Sequence, residues 1–155
     1  MIRKILLLFF TGIALLSCGF SPMYSKTSNT NFEITNVEFT GNPQMNNFIE
    51  NRLNKYSKIS ANKKFNIKIK TRFQKISVAK DTTGKTTDFN LIGNLDLIII
   101  ADNSGDEEQI TSFTENIIVE NNKNKIDQTN YEKNIIDNLS QLLLNRLIFQ
   151  LSKSK

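Results

Sequence analysis

The sequence predicts an α/β domain of the α+β sandwich type, in which two helices cover one face of a four-stranded mixed sheet in the order β-α-β-β-β-α. Four segments alternate apolar and polar residues, and two others repeat apolar residues every three or four positions. The strand-helix-strand start favours a right-handed parallel crossover, whereas the next three strands favour an antiparallel meander. The other face of the sheet then stays open to solvent or a partner.

The first strand and the first helix are predicted on either side of a short turn. In residues 32–39 the apolar alternation changes face near Asn36, which is typical of a β-bulge. Gly41 ends the strand, Asn42 can cap a helix, and Pro43 suits the first helical turn because its missing N–H would have no partner there. The apolar stripe of this helix consists of Met45, Phe48, Ile49, Leu53 and Tyr56.

Three more strands are predicted between residues 64 and 120. The clearest is 64–73, where apolar residues alternate strictly with polar and charged ones. A turn at 80–85 leads to a strand over 88–101, and a second turn leads to a strand over 109–120. In this last strand we expect four residues to face inward, namely Ile110, Phe113, Ile117 and Val119.

A long amphipathic helix is predicted from Tyr131 to about Ser152. Its apolar stripe consists of Tyr131, Ile135, Leu139, Leu142, Leu143, Leu147 and Leu151. The segment 142–149 is more apolar than one buried stripe requires. We expect it to be deeply packed, with a partner-binding surface as the alternative.

The first residues have the features of a bacterial lipoprotein signal peptide. Arg3 and Lys4 precede the apolar block 5–16, which is shorter than the roughly 20 residues that span a bilayer. This block leads through Ser17 into Cys18, the only cysteine of the chain, in a pattern that resembles a lipobox. A thiolate is the nucleophile that accepts a diacylglyceryl group, and two or three acyl chains anchor a protein stably.

The predicted organisation is therefore a signal peptide over 1–17, a lipidated tether over 18–31, and a single α/β domain over 32–155. Composition argues against catalysis in that domain. The chain contains no histidine, and no thiol remains once Cys18 is acylated, so the commonest general base and metal ligands are absent. We expect no enzymatic activity, no metal and no cofactor.

The clearest predicted strand places four cations on one side, Lys64, Lys68, Lys70 and Arg72. Such a stripe suits phosphate or carboxylate groups. The alternative is a solvated edge strand whose lysines prevent edge pairing, with Asp96 or Glu115 of neighbouring strands neutralising part of the charge. Phe65 and Phe73 lie on the opposite side, so no aromatic platform for nucleic acid accompanies the cations. Anionic lipid head groups are the more natural ligand.

The start of the mature chain carries a family resemblance. The sequence Cys18-Gly19-Phe20-Ser21-Pro22-Met23-Tyr24 is similar to the Cys-Gly-Phe-x-Pro-Leu-Tyr start of LptE-type lipopolysaccharide-assembly lipoproteins, particularly their alphaproteobacterial branch. Met23 replaces leucine conservatively. Residues 138–151 also resemble the C-terminal helix of that family, which ends in a Leu-x-x-Arg-Leu pattern.

This resemblance implies an outer-membrane lipoprotein, anchored through acylated Cys18, that faces the periplasm or sits within the lumen of the LptD β-barrel. There it would plug the barrel, help it assemble, and assist passage of lipopolysaccharide to the cell surface. The four cations would be a hypothetical site for lipid A or core phosphates. Two other functions stay open, an ABC-type lipid-transport auxiliary lipoprotein and a structural envelope lipoprotein without a ligand.

Overall fold

The computed structural model describes residues 32–58, 61–100, 109–121 and 125–154, and it confirms the predicted fold class and element order. The elements are β1 (Phe32–Gly41), α1 (Pro43–Leu53), β2 (Lys63–Lys80), β3 (Thr86–Ile100), β4 (Gln109–Glu120) and α2 (Lys125–Lys153), with one 3₁₀ turn at Tyr56–Lys58. The predicted signal peptide, the tether and Cys18 lie outside the described residues. Within them, no helix combines the length and apolarity needed to cross a bilayer.

The sheet has the strand order β1-β2-β3-β4. β1 runs parallel to β2, and the other two pairs are antiparallel, so the sheet is mixed as predicted. β1 bulges at Thr35, one residue before the predicted position, and the Thr35 hydroxyl donates a hydrogen bond to the carbonyl of Phe65 at 3.0 Å. Because of the extra residue, Ile34 and Val37 both contact the core.

The turn from β1 into α1 depends on Gly41. Its φ is +101°, and a Cβ atom there would lie 1.9 Å from the carbonyl oxygen of Thr71, so only glycine permits this approach. The Asn42 N–H donates to the Thr71 hydroxyl at 3.0 Å, and the Asn42 side chain caps α1 by accepting from the Met45 N–H at 3.0 Å. The buried Thr71 hydroxyl donates to Asn46 Oδ1 at 2.7 Å. These contacts set the direction in which α1 leaves the sheet.

Both helices lie on the same face of the sheet, and the core lies between them and the strands. The helices meet the sheet closely at Gly93 of β3, where a Cβ atom would lie 3.2 Å from Leu143 Cδ1 and 3.4 Å from Met45 Cε. The two helices also contact each other, since the Gln44 amide donates to Asp137 Oδ1 at 2.9 Å. The fully buried apolar side chains include Ile34, Met45, Ile49, Ile67, Ile69, Leu91, Leu95, Leu97, Leu143 and Leu147.

One expectation for β4 is wrong. Phe113 and Val119 pack against the core as predicted, and Ile117 lies on the same side. Ile110 instead lies on the outer face and is 62% exposed. The reason is that β4 pairs with β3 without a register shift, so a residue three positions from Phe113 must point the other way.

The expectation of deep packing in α2 is correct only in part. Leu143 and Leu147 are buried, whereas Leu142 is 49% exposed and Phe149 is 59% exposed. Tyr131, which the predicted stripe also included, is 48% exposed. The sheet covers only part of the apolar surface of this helix. Tyr131, Leu142 and Phe149 therefore form an exposed apolar strip along α2.

Asp81 organises the turn between β2 and β3, which the sequence predicted at 80–85. Its carboxylate accepts hydrogen bonds from the Thr83 hydroxyl at 2.6 Å, the Thr83 N–H at 2.8 Å and the Lys85 N–H at 3.0 Å. These bonds, the Thr83 hydroxyl first, favour the charged form and hold the pKa of Asp81 below its usual range. Their support of the turn is therefore present above the ordinary pKa of aspartate and is lost as the pH falls through the lowered value.

We expect Gly41→Ala to lower the free energy of unfolding by about 3 kcal/mol, because backbone strain adds to the clash with Thr71. Gly84→Ala is the matched control. Gly84 also has a positive φ, +83°, but a Cβ atom there would meet nothing within 4 Å, so the loss should be only about 1 kcal/mol. Urea titrations measure both values, and equal losses would contradict the role given to the Thr71 contact.

Candidate anion-binding face of the sheet

The face of the sheet opposite the helices, called here the outer face, carries all four predicted cations. Lys64, Lys68, Lys70 and Arg72 follow the alternation of β2, whose intervening residues face the helices and are buried at Phe65, Ile67, Ile69 and Thr71. A strand rises about 3.3 Å per residue, so the four cations extend over about 26 Å. This one-sided arrangement follows directly from the strict alternation in the sequence.

Three of the four cations have a carboxylate on a neighbouring strand. On the β1 side, Lys64 Nζ lies 3.5 Å from Glu33 Oε2. Lys68 Nζ lies 3.8 Å from Glu38 Oε2 of the same strand. On the β3 side, Arg72 Nη1 lies 2.9 Å from Asp96 Oδ2. Since these pairs involve solvent-exposed cations, each contributes little to stability, and a phosphate can compete for the cation.

Lys70 differs from the other three cations. In the described part of the chain it has no carboxylate oxygen within 4.0 Å. Its register partners are Thr40 on β1 and Asp96 on β3. Asp96 is already held by Arg72 and by the Ser112 hydroxyl, which donates to it at 2.7 Å. Lys70 therefore carries the least neutralised charge of the stripe and is the cation best placed to meet an incoming anion.

Two parts of the edge-strand interpretation are wrong. Glu115 does not neutralise the stripe, because it lies on the helix side and pairs with Arg146 of α2. In addition, β2 is an inner strand where most of the cations lie, since β1 pairs with it from Lys63 to Thr71 and β3 covers its other side. Lysines at these positions do not protect a sheet edge.

Apolar residues that the sequence analysis did not assign to this face lie beside the cations. Ile98 of β3 is directly opposite Lys68, and Ile110 of β4 is directly opposite Ile98. Ile100 is opposite Asn66 on the same face. The run of isoleucines at 98–100 was a signal of apolar character on both faces, but only the cross-strand register shows that it adjoins a lysine. Cations bordering an apolar patch suit an amphipathic anion.

Much of the remaining outer face on β3 and β4 is polar and bonded within itself, although Ile92 and the 62% exposed Ile118 also lie there. The Thr114 hydroxyl donates to Asn94 Oδ1 at 2.8 Å, and the Asn116 amide donates to Asn90 Oδ1 at 3.1 Å. Because these groups already satisfy one another, they have less to offer a ligand than Lys70 does. The part of the outer face suited to an anion is thus the β2 cations together with Ile98, Ile100 and Ile110.

Solved structures of bacterial lipoproteins share this fold. A lipoprotein B from Nitrosomonas europaea matches with a TM-score of 0.58 and 12% identity, covering 78% of this chain and 83% of its own. Rare lipoprotein B from Shewanella oneidensis matches with a TM-score of 0.53 and 10% identity, covering 74% and 91%. A minor lipoprotein from Acinetobacter baumannii matches with a TM-score of 0.50 and 8% identity, covering 79% and 91%.

At such low identity these similarities establish the fold and nothing finer. No protein-family model matches the sequence, and no curated protein matches it at a significant level.

We expect Arg72→Gln to change the free energy of unfolding by less than about 1 kcal/mol, because the Arg72 side chain is 48% exposed and Asp96, although only 16% exposed, keeps its bond from the Ser112 hydroxyl. The adjacent substitution Thr71→Val points to the other face. It removes a buried hydroxyl that bonds Asn42 and Asn46, so it should cost about 1–3 kcal/mol. Chemical denaturation of both variants tests this contrast, and a large loss in Arg72→Gln would show that the stripe has a structural role.

Proposed function

We propose that this protein is an outer-membrane lipoprotein that plugs an LptD-like β-barrel, assists the assembly of that barrel, and helps to carry lipopolysaccharide to the cell surface. The observation that carries the proposal is the presence in one chain of the Cys18–Tyr24 start and a fold shared with bacterial lipoproteins. The two features come from different parts of the chain and therefore support the proposal independently.

The proposed anchor is acylated Cys18 at the start of the mature chain. Thirteen residues, 19–31, separate it from β1, so the 14 steps from Cys18 to Phe32 reach at most about 50 Å when fully extended. This length lets the domain enter a barrel lumen or stay beneath it while the acyl chains remain in the membrane. The domain itself contains the helices and strands that would fill the lumen.

Lipopolysaccharide is proposed to bind on the outer face of the sheet. Its phosphates would contact Lys70 first and then compete with Glu38 for Lys68 and with Asp96 for Arg72. Its apolar part would lie on the neighbouring isoleucines, of which Ile110 is 62% exposed. The same face would suit other anionic lipids, so lipid binding alone does not distinguish this function from that of a lipid-transport auxiliary protein. The two functions differ in the partner protein that the chain binds.

Purification of the chain from native membranes in mild detergent should yield a near-equimolar LptD-like barrel, because a plug is held on all sides by the barrel wall. Cys18→Ser is the unanchored control, because it cannot be acylated at this position. Recovery without any barrel, or with an inner-membrane transporter, would overturn the plug function and favour the transport auxiliary protein.

The double substitution Lys68→Glu with Lys70→Glu should weaken binding to vesicles containing lipopolysaccharide by at least about tenfold, because it reverses the charge where phosphate is proposed to bind. Lys80→Glu with Lys85→Glu makes the same change in net charge at the β2–β3 turn. Co-sedimentation at one fixed ionic strength compares the two variants. Similar losses in both would point to net charge alone, and unchanged binding in the first would remove the lipid site while leaving the plug function intact.

A further inference from the structure

β4 is an edge strand with little protection against pairing with another chain. Within the described residues it lies at the end of the sheet, beside β3 only. Its 12 residues include no lysine, arginine, proline or glycine, and it pairs with β3 without a bulge. Sheet edges are normally protected by such residues, by bulges or by inward-pointing charges, and the inward charge of β4, Glu115, is neutralised by Arg146 of α2. A long regular edge strand of this kind is a ready template for a further strand.

The opposite edge of the sheet has these protections. β1 is bulged at Thr35 and ends at Gly41, and the part of β2 that continues beyond it carries Lys75 and Lys80. The pairing of that part with β3 shifts register around Ala79. The contrast between the two edges singles out β4 as the edge that can accept a partner strand.

Exposed apolar residues are concentrated on the same side of the molecule. Of the eight large apolar side chains that are exposed in the described part of the chain, six lie on β4 or α2, namely Ile110, Ile117, Ile118, Tyr131, Leu142 and Phe149. Arg146 of α2 contacts Glu115 of β4, so Leu142 and Phe149, four residues before it and three after it, lie on the β4 side of the helix. The apolar strip of α2 and the free edge of β4 therefore adjoin.

We propose that β4 pairs in antiparallel orientation with β4 of a second copy of this chain, about a two-fold axis at Thr114, to form a continuous eight-stranded sheet. In this register Ile110 of each copy lies opposite Ile118 of the other, and Ser112 lies opposite Asn116. Ile110 and Ile118 are both 62% exposed, and each is four residues from Thr114. Cross-strand pairs of apolar residues stabilise sheets, so the strand is complementary to itself.

The two nearest alternative registers that keep the helices of both copies on one side of the joined sheet have their axis at Phe113 or at Glu115, and both are less favourable. An axis at Glu115 would place two glutamates directly opposite each other, which is destabilising. An axis at Phe113 would leave Ile118 beyond the end of the partner's β4. The positions of the charges and isoleucines thus select the register centred on Thr114.

The helices fit the same arrangement. Strands lie about 4.8 Å apart, so a helix above the β3–β4 pair would meet its symmetry mate at about 10 Å, which is a normal distance for packed helices. The contacts of Leu143 with Gly93 and of Arg146 with Glu115 place α2 above that pair. The two-fold axis would then bring the exposed Leu142 and Phe149 of the two copies together.

Disulfide formation tests the register. The full chain carrying Cys18→Ser, which removes its only cysteine, is purified in detergent and oxidised after adding Thr114→Cys. Directly opposite residues in an antiparallel pair have Cα atoms about 4.5–5.5 Å apart, within reach of a disulfide, so most of the protein should become a covalent dimer. Ser112→Cys is the matched control. Its two copies would be about 14 Å apart, so it should stay monomeric, whereas Ser112→Cys with Asn116→Cys should cross-link.

Sedimentation of the Cys18→Ser chain without added cysteines tests the interface by another route. Ile110→Lys should raise the dissociation constant of the dimer by at least about tenfold, because it places a charge in the interface. Ile76→Lys, an exposed isoleucine on β2, should leave it unchanged. A monomeric chain, or equal cross-linking of the two single-cysteine variants, would overturn the proposal. Cross-linking of Thr114→Cys to a different protein would overturn it in favour of another partner. A barrel that encloses the domain on all sides would leave no free β4 edge, so the dimer is proposed for the chain before it enters a barrel, and none of these outcomes depends on the proposed function.

Discussion

The architecture of this domain depends on one backbone contact, the approach of Gly41 to the carbonyl of Thr71. That contact places the end of β1 against β2 in parallel and starts α1 immediately afterwards, so the first helix must return across the face that carries Phe65, Ile67 and Ile69. Once α1 occupies that side, α2 has room only beside it, above β3 and β4. None of the described elements covers the opposite face of the sheet, which is why charged and polar residues can occupy it.

Periodicity in the sequence was sufficient to predict the strands and helices and, in β2, the face on which each side chain lies. The strict alternation of β2 predicted the one-sided cations, and the combination of Gly41, Asn42 and Pro43 predicted the start of α1. Features that depend on neighbours were not predictable. The partner of Glu115 required knowing that α2 lies above β4, and the outward position of Ile110 required the register of β4. An apolar stripe likewise does not reveal how much of its width the sheet will cover, as Leu142 shows.

The outer face balances charge in a way that composition cannot reveal. Its four cations have three carboxylates beside them, and these reach the stripe from two different strands. Such pairs order the long side chains at small energetic cost, so the face stays soluble without being strongly positive. An anion that binds there has to displace the carboxylates that are weakly paired with the cations. This competition favours rapid binding and release of the anion over tight binding. Exchange of this kind suits a surface over which a ligand has to pass.

The burial of Leu147 and Leu151 in α2 has a consequence for the order in which the chain folds. β2, β3 and β4 form a local meander that can pair early, but the core between sheet and helices is incomplete until these C-terminal leucines arrive. A chain that emerges from the ribosome N-terminus first therefore stays incompletely folded until α2 has emerged. The placement of α2 thus delays compaction of the domain until this long helix is available to cover the sheet.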